Sequence, residues 1–225
     1  MEIAPSYLNA KNLTQFIYQI DGYNKTTPNK IKYMHVDVMD SKFVPNYGVE
    51  LETIEFVKSR GYLADVHLMV KSPETYIDRA ISYGADIVTI HIEVGNTLNL
   101  IKFIKDKSFE YMKKVKVGLA INPETPYTSL IPYINYIDRI LLMTVEPGKG
   151  GQEYIDLMDE KIENIKNMLI NQGLFREVSI CVDGGINNLT FANVKKAGAD
   201  MAVIGSYLSK SKSTEELINS IKELK

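Results

Sequence analysis

The chain has 225 residues, of which 45% are hydrophobic, and it carries 26 Lys+Arg against 28 Asp+Glu, a formal net charge of −2. That length can bury a large core as one domain, and the nearly balanced charge argues against a nucleic-acid or membrane-surface partner. The single cysteine, Cys181, excludes an intramolecular disulfide and, with no segment apolar enough for a signal peptide or membrane span, predicts a cytoplasmic protein.

Short apolar runs alternate with segments of helical periodicity along the whole chain. The predicted strands, in chain order, lie at 3–6, from 31 into the motif at 35–46, and at 63–70, 86–93, 115–122, 139–145, 178–183 and 200–206. The predicted helices lie at 12–20, about 50–60, 73–84, about 97–113, from Pro126 onward, about 153–172, about 188–197 and 214–221. Helix boundaries follow Pro and Gly signals, such as Pro73 and Gly84.

This order of elements predicts the fold class. Strands that are nearly continuously apolar and alternate with helices form a parallel sheet covered on both faces. Eight such units in one chain favour closure into a single (β/α)8 TIM barrel spanning residues 1–225 as one domain. An open, doubly wound sheet is the alternative.

The segment 35–46, HVDVMDSKFVPN, carries the first chemical signal. Side chains alternate between the two faces of a strand, so His35, Asp37 and Met39 share one face. An imidazole and a carboxylate two residues apart can hold one metal ion or one substrate. A structural hydrogen-bonded pair is the alternative for this segment taken alone.

Polar residues recur at the ends of other predicted strands. In a barrel these ends meet at one rim, where active sites of this fold are built. His35, Asp37, His67 and Asp183 supply two imidazoles and two carboxylates, a set suited to one divalent metal ion: Zn²⁺, Fe²⁺, Co²⁺ or Mn²⁺. A metal-free polar network is the alternative. For His91 and Glu93, support of the metal site and a satisfied structural pair are equally open.

Glycines follow the late strands in three places. These segments are Gly148-Lys149-Gly150-Gly151, Gly184-Gly185 and Gly205-Ser206. Glycine lets backbone N–H groups approach an anion, and barrels often bind phosphate after strands seven and eight. The sequence therefore predicts a phosphate cradle. Met39, Met69 and Met143 also fall at strand ends, where core packing is the default and an apolar lid over the reacting carbon is the alternative.

These residues resemble the ribulose-phosphate 3-epimerase family along nearly the whole chain. The resemblance is carried by HVDVMDSKFVPN (35–46), DVHLMV (65–70), GLAINPETP (118–126), LMTVEPGKGGQ (142–152), VDGGI (182–186) and AGAD with VIGS (197–206). It implies a (β/α)8 barrel of the ribulose-phosphate-binding type, one divalent metal on His35, Asp37, His67 and Asp183, and Asp37 with Asp183 as the acid/base pair. It also implies substrate contacts from Ser6, His67, Gly148, Lys149, Gly150, Gly151, Gly184, Gly185, Gly205 and Ser206.

The resemblance implies a small sugar phosphate as the ligand and a homo-oligomeric assembly. D-ribulose 5-phosphate is the first expectation for the substrate, and the related allulose-6-phosphate 3-epimerases are the alternative. The substrate is in question because Ser41-Lys42, Lys149 and Cys181 replace the usual Gly-His, Phe and Glu of the family. A non-catalytic sugar-phosphate-binding barrel is the alternative from another class. Phosphate-binding decarboxylases and Schiff-base aldolases are disfavoured because no lysine stands at the required strand position.

Overall fold

Strands and helices alternate along residues 1–224, the part of the chain that the computed structural model describes. The strands β1 to β8 are Glu2–Pro5, Tyr33–Met39, Leu63–Met69, Ile87–His91, Lys116–Ile121, Arg139–Met143, Ser179–Asp183 and Met201–Ile204. The helices α1 to α8 are Leu13–Thr26, Thr53–Ser59, Glu74–Tyr83, Thr97–Glu110, Met158–Asn171, Phe191–Ala197, Ser206–Ser209 and Thr214–Glu223. Lys225, the last residue of the predicted domain, lies outside the described residues.

The sheet closes on itself. Its strand order is β1-β8-β7-β6-β5-β4-β3-β2, and every pair of neighbouring strands is parallel. A single parallel bridge between Ser6 and His35 joins β1 to β2 and completes the ring. The predicted (β/α)8 barrel is confirmed, and the open sheet is excluded.

Alternation along β2 divides its side chains between two cores. Val36 and Val38 point outward into the large apolar layer between strands and helices. His35, Asp37 and Met39 point into the barrel, as the period of two predicts. A smaller inner cluster fills the barrel with apolar side chains from β1, β5, β6, β7 and β8: Ala4, Ala120, Leu141, Met143, Cys181, Met201 and Val203.

Three aspartates tie the amino-terminal ends of the strands together. Asp86, Asp138 and Asp200 each directly precede an even-numbered strand. Their Oδ2 atoms accept the backbone N–H groups of Ala64, Val117 and Ile180 on the preceding strands, at 2.7, 2.8 and 2.9 Å. Each bond satisfies a donor near a strand start and fixes the neighbouring register, which places the site residues at the other end of the barrel.

The helix predicted from Pro126 is wrong. The connection between β5 and β6 contains only two short 3-10 segments, Tyr127–Leu130 and Ile134–Tyr136. Pro132 follows the first of them and lacks the N–H that a longer helix would need. A helix therefore covers every strand-to-strand connection except this one.

Several predicted helix boundaries also shift. The helix predicted from 153 begins at Met158, because the backbone N–H of Ile155 donates to Thr144 O at 3.1 Å and holds this segment against the barrel. The helix predicted to reach 113 ends at Glu110, before Met112 adopts a φ of 51°. In contrast, Gly84 ends α3 with a φ of 105°, as predicted.

None of the helices in the described part of the chain combines the length and apolar composition that crossing a bilayer requires.

Candidate active site at the carboxyl end of the barrel

A cavity opens at the carboxyl ends of the strands. Nearly all the predicted substrate-contact residues line it: Ser6, Gly148, Lys149, Gly150, Gly151, Gly184, Gly185, Gly205 and Ser206. The three predicted lid residues, Met39, Met69 and Met143, line it as well. His67 is the exception: it is fully buried and lies outside this lining, behind Asp37, whose carboxylate does line the cavity.

The four predicted metal ligands meet at the base of this cavity. One atom from each of His35, Asp37, His67 and Asp183 lies within 4.8 Å of all the others. Strand register explains the meeting, because Asp37 on β2 pairs with His67 on β3. Oδ1 of Asp37 lies 3.3 Å from His35 Nε2 and 3.2 Å from His67 Nδ1. Oδ2 of Asp183 lies 3.7 Å from each of the same two nitrogens.

This arrangement fits a divalent cation. Ligand atoms bonded at about 2.0–2.2 Å around one tetrahedral ion stand roughly 3.3–3.6 Å from one another, close to the observed separations. In addition, His35 Nε2 is buried and has no hydrogen-bond partner among residues 1–224. Buried polar atoms normally have partners, so this nitrogen points to a ligand held among the four side chains.

His35 is oriented from behind by a carboxylate. Its Nδ1 lies 3.0 Å from Oδ2 of Asp65, which also lies 2.9 Å from Nη1 of Arg139. An ionised carboxylate accepts, so Nδ1 donates and Nε2 faces Asp37. Burial alone would lower the pKa of His35, but the charges of Asp37 and Asp65 outweigh it and raise this pKa. A bound cation would therefore displace a proton from Nε2.

The pKa values of the two cavity carboxyl groups, Asp37 and Asp183, are shifted in opposite directions. Burial alone would raise the pKa of Asp37, but the positive charge of His35 outweighs burial and holds it well below its usual value. For Asp183, burial and the neighbouring Asp37 carboxylate raise the pKa to about 7. At neutral pH the pair therefore holds one ionised carboxylate and one carboxyl that readily carries a proton. Ser6 Oγ donates to the second oxygen of Asp37 at 2.7 Å.

His91 and Glu93 lie behind His67, away from the cavity. The two facing Nε2 atoms of His67 and His91 are 2.8 Å apart, and His91 Nδ1 is 3.0 Å from Glu93 Oε2. Burial lowers the pKa of His91 to about 4 and also lowers that of His67. Burial alone would raise the pKa of Glu93, but hydrogen bonds from His91, Thr125 and Asn122 bring it to about 2. Both imidazoles are therefore neutral beside an ionised carboxylate.

The glycine segments converge on one side of the cavity. A Cβ built on Gly151 would lie 4.0 Å from Ser206 Cβ, and one built on Gly205 would lie 3.7 Å from Ser6 Cβ. Gly185 has a φ of 69°, and a Cβ there would lie 2.5 Å from the backbone N of Tyr154. Only glycine fits both that conformation and that approach.

The loop after β2 covers the glycine-rich loop after β6. Asn46 Nδ2 donates to Gly148 O at 2.8 Å, and the Val44 side chain occupies the space where a Cβ of Gly148 would stand. Asp40 holds this loop by accepting the N–H groups of Lys42 and Phe43, each at 2.9 Å. The glycine-rich loop that lines the cavity is therefore held by a neighbouring loop that is itself internally hydrogen-bonded.

Several lining residues escape sequence reasoning. Asn9, Val145 and Gln152 line the cavity although none was predicted as a site residue. Gln152 Nε2 donates to the carbonyls of Glu146 and Lys149, at 2.6 and 2.7 Å, and thereby shapes the loop after β6. Asn9 lies three residues beyond Ser6, and that spacing from a strand-end serine is its only sequence signal.

An eight-stranded parallel barrel that gathers paired carboxylates, histidines and glycine-rich turns at the carboxyl ends of its strands is a (β/α)8-barrel enzyme. The sequence model of the family described as "Ribulose-phosphate 3 epimerase family" matches residues 2–209 of the chain. The chain belongs to this family, and it is therefore an isomerase of the carbohydrate-epimerase kind.

Individual relatives agree with this assignment. A ribulose-phosphate 3-epimerase of Bacillus subtilis is 35% identical over 224 residues, covering 99% of this chain and 98% of that protein. One from Aquifex aeolicus is 34% identical over 198 residues, covering 85% and 83%. Among solved structures, KGPDC from Streptococcus mutans in complex with D-R5P matches with a TM-score of 0.68 at 12% identity, covering 99% of this chain and 97% of that one. At that identity the structural match concerns the fold alone.

Proposed function

We propose that the protein is a metal-dependent ketose-phosphate 3-epimerase that interconverts D-ribulose 5-phosphate and D-xylulose 5-phosphate. The observation that carries the proposal is the pairing of Asp37 and Asp183. They come from β2 and β7, line one cavity, and in the metal-free protein have pKa values displaced in opposite directions. Inversion at C3 needs two such groups, because the proton leaves from one face of the sugar and another arrives on the opposite face.

The residues that would hold one divalent cation, Zn²⁺, Fe²⁺, Co²⁺ or Mn²⁺, are His35, Asp37, His67 and Asp183. Such an ion supplies Lewis-acid stabilisation of the negative charge that develops on the substrate oxygens. The orphaned Nε2 of His35 supports this assignment.

Proton movement is then the work of the two aspartates. In one direction the ionised carboxylate removes the C3 proton, and the electron pair of the C–H bond passes toward the C2 carbonyl to give an enediolate. The protonated carboxyl delivers its proton to the opposite face of C3, and the carbonyl reforms. Each carboxyl ends in the state that the other began with, so the reverse reaction uses the same groups in exchanged roles. Ser6 donates to Asp37 Oδ2 and orients that carboxylate.

The glycine-rich side of the cavity would bind the substrate phosphate. We propose contacts from the loop at 148–151, from Gly184 and Gly185, and from Gly205 and Ser206, because backbone N–H groups near glycines can approach an anion closely. The carbonyls of Gly184 and Gly185 accept hydrogen bonds from Thr144 and Thr190, at 2.5 and 3.2 Å, which keeps this turn rigid. We propose that Met39, Met69 and Met143 form the apolar surface over the reacting carbon.

Turnover of two substrates tests the proposal. Purified protein reconstituted with metal is assayed with D-ribulose 5-phosphate and with D-allulose 6-phosphate, and we expect faster turnover of the pentulose. The hexulose alternative is favoured by the segment Asn122–Pro126, which is similar to the allulose-6-phosphate enzymes, and a rate on the pentulose far below that on the hexulose would establish it. Failure to exchange the C3 proton of either substrate in D₂O would instead favour a non-catalytic binding barrel.

We also propose that the chain acts as one domain and assembles as a homo-oligomer. Phe109 and Met112, near the carboxyl end of α4, are 86% and 94% exposed, which is costly for a monomer in water. Sedimentation velocity measures the assembly state, and a species of one chain's mass at micromolar concentration would contradict the proposal.

A further inference from the structure

Three side chains in consecutive contact, His67, His91 and Glu93, lead away from the cation site through β4. His67, the buried member of the ligand set, stacks on His91 with ring centroids 5.0 Å apart and a 27° angle between the planes. Their Nε2 atoms face each other at 2.8 Å. His91 Nδ1 then faces Glu93 Oε2 at 3.0 Å. Every nitrogen of the two rings thus has a partner within the protein or at the cation site.

The partners of Glu93 determine where the protons lie. Its Oε1 accepts the backbone N–H of Asn122 at 2.8 Å and the hydroxyl of Thr125 at 2.5 Å. A carboxylate surrounded by donors is ionised and accepts at Oε2 as well, so His91 Nδ1 carries a proton and donates it. The other nitrogen of a neutral His91 must then accept.

The same reasoning applies to His67. Because His91 Nε2 accepts, the nitrogen facing it, His67 Nε2, must donate and carries the proton of that ring. The remaining nitrogen of His67, Nδ1, is then the one with a free lone pair. It lies 3.2 Å from Asp37 Oδ1 and 3.7 Å from Asp183 Oδ2, on the side where a cation would sit.

We infer that His91 and Glu93 are positioning residues that fix His67 in the tautomer whose Nδ1 can ligate the cation. The inference rests on the proposed function for the presence of the cation. It assigns a role to two residues that neither line the cavity nor belong to the ligand set. A carboxylate or other acceptor behind a ligating imidazole raises its basicity and sets its orientation, and here a second imidazole transmits that effect.

The loop at 122–125, which donates the hydrogen bonds to Glu93, is rigid. Lys161 on α5 donates from Nζ to the carbonyls of Asn122, Pro123 and Thr125, at 2.9, 2.8 and 2.5 Å. The loop that supplies the donors to Glu93 is therefore held from both sides. Phe43 packs on His91 with ring centroids 4.8 Å apart and closes the remaining side of the imidazole.

Histidine tautomers are read directly in the Zn²⁺-loaded protein, because without a cation the Asp37 carboxylate, 3.2 Å from His67 Nδ1, competes for the proton of that ring. Long-range ¹H–¹⁵N spectra at mildly alkaline pH separate the Nδ1–H and Nε2–H forms, and we expect His67 to be protonated at Nε2. His91→Phe keeps a ring in place but removes the acceptor, so we expect His67 to shift toward the Nδ1–H form. Wild-type His67 protonated at Nδ1 would overturn the inference.

Titration with CoCl₂ gives a second readout. We expect His91→Phe to weaken Co²⁺ binding by roughly 10–100-fold and to change the visible Co²⁺ spectrum, and Glu93→Gln to change both in the same direction by a smaller factor. Thr89→Val is the matched control, since Thr89 is buried on the same strand but does not belong to the chain of contacts. Binding by His91→Phe equal to that of Thr89→Val would refute the positioning role. Failure of the wild-type protein to bind either Co²⁺ or Zn²⁺ would instead refute the proposed function on which the inference rests.

Discussion

The Nη1 atom of Arg139 lies 2.9 Å from Oδ2 of Asp65 inside the barrel, where both side chains are buried. The same carboxylate oxygen lies 3.0 Å from His35 Nδ1, so one ion pair supports a residue of the site from below. The Arg139 guanidinium also lies over the Tyr33 ring, with its carbon 5.6 Å from the ring centroid. The barrel interior therefore holds a charged layer beneath the cavity.

Removing one partner of this buried pair should be costly. Arg139→Met leaves the Asp65 carboxylate without its cation, and we expect the metal-free protein to lose about 3–5 kcal/mol of unfolding free energy in urea titrations. Asp65→Asn in the same chain should recover part of the loss, because the uncompensated charge is gone. Arg79→Met, which breaks an exposed pair with Glu52, is the control and should leave the unfolding free energy nearly unchanged. Equal effects of Arg139→Met and Arg79→Met would contradict the buried-pair interpretation.

Gly185 offers a test of the proposal that the glycine-rich side of the cavity binds the substrate phosphate. Gly185→Ala would push a methyl group against the Tyr154 backbone and displace the turn, so we expect kcat/KM for the sugar phosphate to fall by about 10²-fold, mainly through KM. Gly173→Ala is the matched control, because Gly173 has a similar φ of 74° but its added Cβ would meet no atom of the described residues within 4 Å. It should lower stability without changing kcat/KM. Similar kinetics for the two variants would remove Gly185 from the binding site.

The two-carboxylate mechanism predicts that each aspartate is indispensable. Asp37→Asn and Asp183→Asn should each abolish epimerisation while the circular dichroism spectrum stays that of the wild type, since proton transfer by a positioned group contributes roughly 10²–10⁴ in rate. The measurement is deuterium incorporation at C3 of the product in D₂O. Asp106→Asn, at an exposed position on α4, controls for the loss of a carboxylate elsewhere. Near-normal activity of either cavity variant would rule out the mechanism.

Cation binding should be coupled to pH through Asp183. Its pKa is raised to about 7 in the metal-free protein, so below that pH a proton competes with a cation for the oxygens of this carboxyl. Affinity is then expected to decrease as the pH falls below about 7 and to level off above it. Isothermal titration in buffers of different ionisation enthalpy counts the protons released. Asp183→Asn should release fewer protons than the wild type, and an unchanged proton count would exclude Asp183 as their source.

Local patterns were sufficient to predict the barrel. Each strand, such as β2 or β7, buries both faces and so reads as an apolar run, and its last inward residues are polar only where chemistry requires it. His35, Asp37, His67 and Asp183 could be proposed together because the carboxyl ends of parallel strands must share one rim.

What could not be predicted depends on contacts between distant segments. The start of α5 at Met158 follows from the bond between Ile155 and Thr144, and no periodicity in the helix itself carries that information. The place of Asn9 beside the 148–151 loop depends in the same way on how two loops fold over the cavity. The partners of His91 required the register between β3 and β4 and the side-chain directions of both strands.

The junction between β1 and β2 makes folding and catalysis inseparable. Ser6 and His35 form the bridge that completes the ring. Ser6 also donates a hydrogen bond to Asp37 of the ligand set, and His35 belongs to that set. On its other edge β1 pairs with β8, from the end of the chain. A molecule in which β1 and β2 have not joined could retain all seven strand ladders and much of its helical circular dichroism signal. Asp37 would then lack the hydrogen bond from Ser6. The return of turnover during refolding would therefore time the joining of β1 to β2 rather than the formation of the strand ladders.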